Sequence, residues 1–127
     1  MKNLENKLMF IIKESNLINL FDYEYVKEES TAKGEFAYKY FVNMKDSVKN
    51  PLHVSSFEFY NRKHTYKDGS FSKFRIYHDG KMPRNVHNEL ENLKYVISRS
   101  KTYIDFASDD LDNLVAVGKK VYDIISK

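Results

Sequence analysis

The sequence predicts an α+β domain: an antiparallel sheet with helices packed on one face, in the order α-β-β-β-β-α-α. Three patterns lead there. Apolar residues recur at helical spacing toward both ends of the chain, and strict alternation fills the middle. Asp79-Gly80 and Pro83 then punctuate the change from period 2 to period 3.6. With 127 residues and no Pro/Gly/Ser linker, the chain reads as one domain, 1–127.

Each element has a local cause. Asn3 can cap a first helix over 4–15, whose stripe is Leu4, Leu8, Ile11 and Ile12, with Asn16 as its stop. Residues 18–27 alternate and read as a strand, followed by a polar loop over 28–34. The strand over 35–44 points Phe36, Tyr38, Tyr40, Val42 and Met44 one way. Pro51 disfavours helix at Asn50, so 45–52 reads as a connection. Residues 53–67 and 70–78 form a two-stranded ribbon. From about 85, Val86, Leu90, Leu93, Ile97 and Ile104 trace one helical face, with a break between 100 and 106. Ser108 is the expected cap of the last helix, and Asp109, Asp110 and Asp112 suit its positive first turn. Gly118 lies in that helix's apolar stripe, which calls for a close contact with another element.

The ribbon is the most informative stretch. Taking Asp68-Gly69 as a two-residue turn pairs Tyr60 with Tyr77, Arg62 with Arg75, His64 with Lys73 and Tyr66 with Phe71. One flank is then a ladder of rings and positive groups, while Phe57, Phe59, Phe74 and Ile76 lie on the other. Helices would cover the apolar flank, together with Phe36, Tyr38 and Tyr40. Lys39, Glu58, Tyr60, Arg75 and Tyr77 would fall on the open one. Like charges directly opposed repel, so an Arg62/Arg75 pair hints at an anionic partner. Stacking of Arg on Tyr, or neutralisation by Glu58, Asp22 or Glu24, accounts for the pair equally well.

Composition narrows the function classes. The chain has ten Tyr and nine Phe but no Cys, which excludes disulfides and thiolate metal sites and suits a reducing, cytoplasmic setting. No run approaches the roughly 18 apolar residues of a membrane span. Glu5 and Lys7 interrupt the start as a signal peptide. Net charge is only +3, but residues 60–87 hold seven Lys/Arg and three His against Asp68 and Asp79, so the positive potential is concentrated there.

No catalytic, cofactor or metal signature stands out. His53, His64, His78 and His87 match no compact ligand spacing, and a set of His78, His87 and Glu91 is what chance would place near a turn. The Glu-x-Lys at 5–7 has no strand Asp before it, and there is no phosphate-binding Gly-rich loop. His64 with Lys73 supplies the minimum for acid–base cleavage of RNA, without a spacing that singles it out. The expectation is therefore a non-catalytic interaction or inhibitor module that docks a nucleic-acid-handling protein. Its contact residues would be Tyr60, Arg62, His64, Tyr66, Phe71, Lys73, Arg75 and Tyr77. The Lys/Asn/Ile/Tyr-rich make-up is what an AT-rich bacterium or its phages encode, which suits an anti-defence (anti-CRISPR-like) protein. Direct DNA or RNA binding by the same flank is the alternative. The sequence also admits a homodimer that exchanges the ribbon.

Overall fold

A computed structural model describes residues 9–30, 36–62 and 71–126, with side chains described outside 23–42 and 60–72. The described part of helix α1 is residues 9–14. Ser15 Oγ donates to the Ile11 carbonyl at 2.6 Å, and Asn16 ends the segment in the left-handed region at φ 66°. Asn is among the residues that tolerate that conformation, so the stop expected at Asn16 is met. The proposed Asn3 cap lies outside the described residues. A 3₁₀ turn, Leu17–Leu20, leads into strand β1, Phe21–Ser30. Then come β2 (Phe36–Met44), α2 (Asp46–Leu52), β3 (Val54–Arg62) and β4 (Phe71–His78). Helix α3 (Arg84–Glu91), β5 (Val96–Arg99), β6 (Tyr103–Ser108) and α4 (Leu111–Ile125) complete the chain.

The α+β class holds: helices pack on one antiparallel sheet of six strands in the order β1-β2-β3-β4-β6-β5. Alternation decides which flank is covered. Phe57, Phe59, Phe74, Ile76, Ile104 and Phe106 are fully buried on one side. Neighbouring rings stack along the sheet, with Phe74 and Phe106 centroids 5.0 Å apart. Each fully buried Phe contributes roughly 1.5–3 kcal/mol. Leu114, Val121 and Ile125 of α4 belong to the same cluster, as do Ile11, Ile12 and Leu17.

Several elements differ from the sequence reading. Strand β1 begins at Phe21 rather than 18 and runs on through Ser30, pairing Glu28 with Tyr38 and Glu29 with Ala37 where a loop was expected. Residues 46–52 are a short helix despite Pro51. Pro51 sits in its last turn and removes only one N–H, while His53 N–H still reaches the Lys49 carbonyl at 3.0 Å. The long helix expected from 85 ends at Glu91, and its second half is the hairpin β5–β6. Ile97, assigned to a helical core stripe, is 50% exposed, whereas Ile104 and Phe106 alternate with Asp105 and are fully buried. A period of two fits that segment better than 3.6. The cap of α4 is Asp110, whose Oδ1 accepts the Asp112 N–H at 2.9 Å. Ser108 instead bonds Asp110 N–H and Asn113, two positions ahead of its expected role.

Gly118 has the close contact expected of it. A Cβ there would lie 2.8 Å from Ser15 Cβ and 3.1 Å from its Oγ, in the junction between α4 and the end of α1. Ser15 is fully buried and tied to the Ile11 carbonyl, so it has nowhere to retreat. Gly118→Ala should therefore lose roughly 1–3 kcal/mol in urea unfolding, although alanine favours helix. Pairing it with Ser15→Gly should recover part of the loss.

Candidate functional site

On the flank opposite the Phe layer, β3, β4, β6 and β5 bring charged and hydroxyl groups together. The observed register opposes Glu58 to Arg75, Tyr60 to Lys73, Arg62 to Phe71 and Ser56 to Tyr77. This corrects the expected pairing by four residues. An even displacement keeps every side on its own flank, so the ladder's face survives while its partners change. Placing Glu58 rather than Arg62 opposite Arg75 exchanges a repulsive pair for an attractive one.

Arg75 is the hub of this flank. Its Nε and Nη2 donate to Asp105 Oδ1 and Oδ2 at 2.6 and 2.9 Å, a bidentate pair between paired residues of β4 and β6. Nη1 donates to Tyr77 OH at 3.2 Å, and that hydroxyl donates to Glu58 Oε2 at 3.1 Å. The guanidinium also lies over the Tyr103 ring, 4.0 Å from its centroid. Ser98 Oγ donates to Asp105 Oδ2 at 2.7 Å, and Lys73 Nζ reaches the same oxygen at 3.4 Å. Asp105 is 1% exposed, Glu58 6% and Lys73 8%, so these charges are withdrawn from water.

Burial sets the titration of this cluster. It pushes the Asp105 carboxyl up, yet the hydrogen bonds from Arg75 and Ser98 and the nearby cations outweigh it and leave the group below its ordinary value. Burial lowers the Lys73 ammonium, and the Asp105 charge only partly restores it. Tyr77 is raised, chiefly by burial.

Three of the eight predicted contact residues, Lys73, Arg75 and Tyr77, thus belong to an internal network. Tyr60, Arg62 and Phe71 keep ladder positions at the far end of the ribbon, where pairing of β4 with β6 stops at Ser72 and Ser108. His64, Tyr66 and the Asp68-Gly69 turn lie outside the described residues. Asp105, the counterion the sequence reading missed, stood in a segment taken for a helix break. The alternation of Tyr103, Asp105 and Ala107 with Ile104 and Phe106 was the available signal.

A second polar group forms where β4 ends. His78 and His87 meet edge to face, ring centroids 5.2 Å apart, and His87 Nδ1 donates to Glu91 Oε1 at 2.8 Å. The set of His78, His87 and Glu91 set aside at sequence level is therefore brought together. Among the described residues, no three His, Asp or Glu side chains converge to hold a metal ion. Also among the described residues, no helix is long and apolar enough to cross a membrane.

Removing the Asp105 carboxylate by Asp105→Ala leaves Arg75 half-buried without its counterion and should cost about 3–5 kcal/mol in urea unfolding. The native carboxyl is more acidic than the unfolded one, whose ordinary value is 3.8. Its contribution is complete above that pH and is lost as pH falls through the lower folded value. Urea midpoints measured from pH 6 downward should fall less steeply in the variant than in the parent over that acid window. No family model, curated protein or solved structure matches this chain.

Proposed function

We propose that this chain is a non-catalytic interaction module, of the inhibitor or anti-defence kind. It docks a nucleic-acid-handling protein through the far end of the β3–β4 ribbon. The observation that carries this reading is the register at the end of β6: Tyr60, Arg62 and Phe71 share one flank at the far end of β3 and β4, where pairing with β6 stops at Ser72 while β2 still accompanies β3 to Arg62. Tyr and Arg are favoured anchors in protein interfaces, and presenting them on a strand pair limits the ordering cost of binding. The Asp105 network fixes β4 against β6 next to this end of the sheet.

The same network argues against phosphate recognition by the whole ladder. Arg75 and Lys73 share one carboxylate and are poorly placed to neutralise a backbone phosphate. Of the ladder's basic residues, Arg62 is then left outside that network and His64 lies outside the described residues, which is few for a nucleic-acid binder carrying +3 overall.

A photo-crosslinking residue placed at Arg62 in cells should capture a nucleic-acid-handling protein, and Tyr60→Ala should abolish the adduct. The same probe at exposed Ile97 should give none. In a mobility-shift titration, mixed DNA and RNA should stay unbound even at low salt. Binding with a log–log salt slope of about −0.7 to −0.9 per contacted phosphate would replace this reading with direct nucleic-acid recognition.

A further inference from the structure

At the opposite end of β4 from Phe71, a cleft of about 920 Å³ opens between α3, the loop after β4 and the turn joining β5 to β6. That is within the roughly 300–1,000 Å³ range of small-molecule sites. One face of α3 lines it with Arg84, His87, Asn88 and Glu91, at spacings of three and four residues. Arg99 and Lys101 face them from the other wall. Gly80, at φ 86°, holds the loop against this wall: a Cβ there would stand 3.4 Å from the Lys101 carbonyl.

The charges do not cancel. Both carboxylates lining the cleft are already engaged. Asp79 accepts from His53 Nδ1 at 2.7 Å, and Glu91 holds His87 at 2.8 Å with Arg99 Nε at 3.8 Å. Arg84 and Lys101 have no acidic partner among the described residues. His78, also lining the cleft, adds a second and independent observation. Its Nδ1 accepts the Gly80 N–H at 3.1 Å, so the neutral ring carries its proton on Nε2. That Nε2 is buried and has no hydrogen-bond partner. Burial, reinforced by the neighbouring His87 and opposed by Asp79, holds His78 below the ordinary imidazole value and favours this neutral form. An unmatched donor beside uncompensated cations calls for a ligand rich in acceptor oxygens.

We propose that this cleft binds the phosphate end of a small phosphorylated molecule, with Arg84 and Lys101 supplying charge and His78 Nε2–H a hydrogen bond at its floor. The His87 ring packs against His78, so binding requires that ring to move aside before a ligand oxygen reaches the buried Nε2. The cleft has room for more than a diphosphate, so an organic phosphate of up to roughly nucleoside diphosphate size fits it. The site is separate from the ribbon and stands or falls independently of the docking proposal.

Calorimetric titration of the intact chain with pyrophosphate, ADP and adenosine at low salt tests this. Pyrophosphate and ADP should bind saturably and adenosine should not. Arg84→Ala and Lys101→Ala should each weaken ADP by about tenfold, as expected for a charge-assisted bond. Together they should weaken it more than either does alone, and not simply by the product, because they share one phosphate group. Lys119→Ala with Lys120→Ala, two exposed cations on α4, should change nothing. Since His78 is buried and its replacement could disturb folding, its part is read in the parent protein. The ring ¹⁵N signal of Nε2 should shift with ADP saturation while Nδ1 stays unprotonated. Absence of pyrophosphate binding, adenosine binding as tightly as ADP, affinity indifferent to Arg84 and Lys101, or an unmoved Nε2 signal at saturation would each overturn the proposal.

Discussion

The fold depends on a single carboxylate, Asp105, and on the arginine that grips it with two parallel hydrogen bonds. A sheet flank carrying Glu58, Lys73 and Arg75 could not be withdrawn from water unless those charges met one another. Asp105 makes this tenable by accepting from Arg75, Lys73 and Ser98 at once. Such a cluster adds little net stability compared with well-packed apolar groups, because desolvating its members offsets most of their attraction. Its effect is on register. Moving β6 by two residues along β4 would keep the Phe layer on its own flank but separate Asp105 from Arg75. The apolar side therefore drives association, and the polar side selects one alignment from several that would bury similar area.

That division of labour changes what the basic, aromatic stretch can do. Residues that look like a continuous binding ladder are divided by the end of β6. Lys73, Arg75 and Tyr77 serve the interior alongside β6; Tyr60 lies level with the last β6 pairs, and Arg62 and Phe71 lie just past them, with β2 still paired to β3. The local excess of positive charge in the sequence is thus partly structural. A single acidic residue some thirty positions away neutralises part of it, and no window around the ribbon reveals that partner.

Legibility followed the range of the determining interaction. Asn16 as a stop, the Phe57/Phe59/Phe74/Ile76 layer, the stripe of α4 and the close approach at Gly118 are set by spacing within a segment. All could be read from it. The hairpin β5–β6 could not be separated from a helix because Leu90, Leu93 and Ile97 happen to extend a helical stripe. Pairing with β4, not local preference, decides the matter, and buried Ile104 and Phe106 join the sheet's core while Ile97 is left exposed. The ribbon register was missed for a related reason. Asp68-Gly69 is a strong local turn signal, but the alignment that opposes Glu58 to Arg75 and pairs Arg75 with Asp105 displaces the partners by four residues. Six of the eight candidate contact residues were therefore visible as a flank and invisible as a set of partnerships. The cleft residues were individually visible, yet their convergence depends on a turn and a hairpin that the helical reading had erased.

Strand β4 links the two regions that carry functional proposals: Phe71 lies at the ribbon end and His78 on the cleft. Seven steps of about 3.3 Å separate them by roughly 23 Å. Coupling over such a distance requires an element with two discrete arrangements that both sites can bias. The middle of β4 offers the opposite. Phe74 and Ile76 are fully buried on one flank, and Arg75 is clamped to Asp105 on the other. Sliding this strand would break both layers at once. Apart from His78, the cationic and imidazole groups that line the cleft, Arg84, His87, Arg99 and Lys101, belong to α3, β5 and the turn before β6 rather than to β3 or β4. The architecture thus favours two independent binding surfaces on a rigid strand over a switch that transmits occupancy from one to the other.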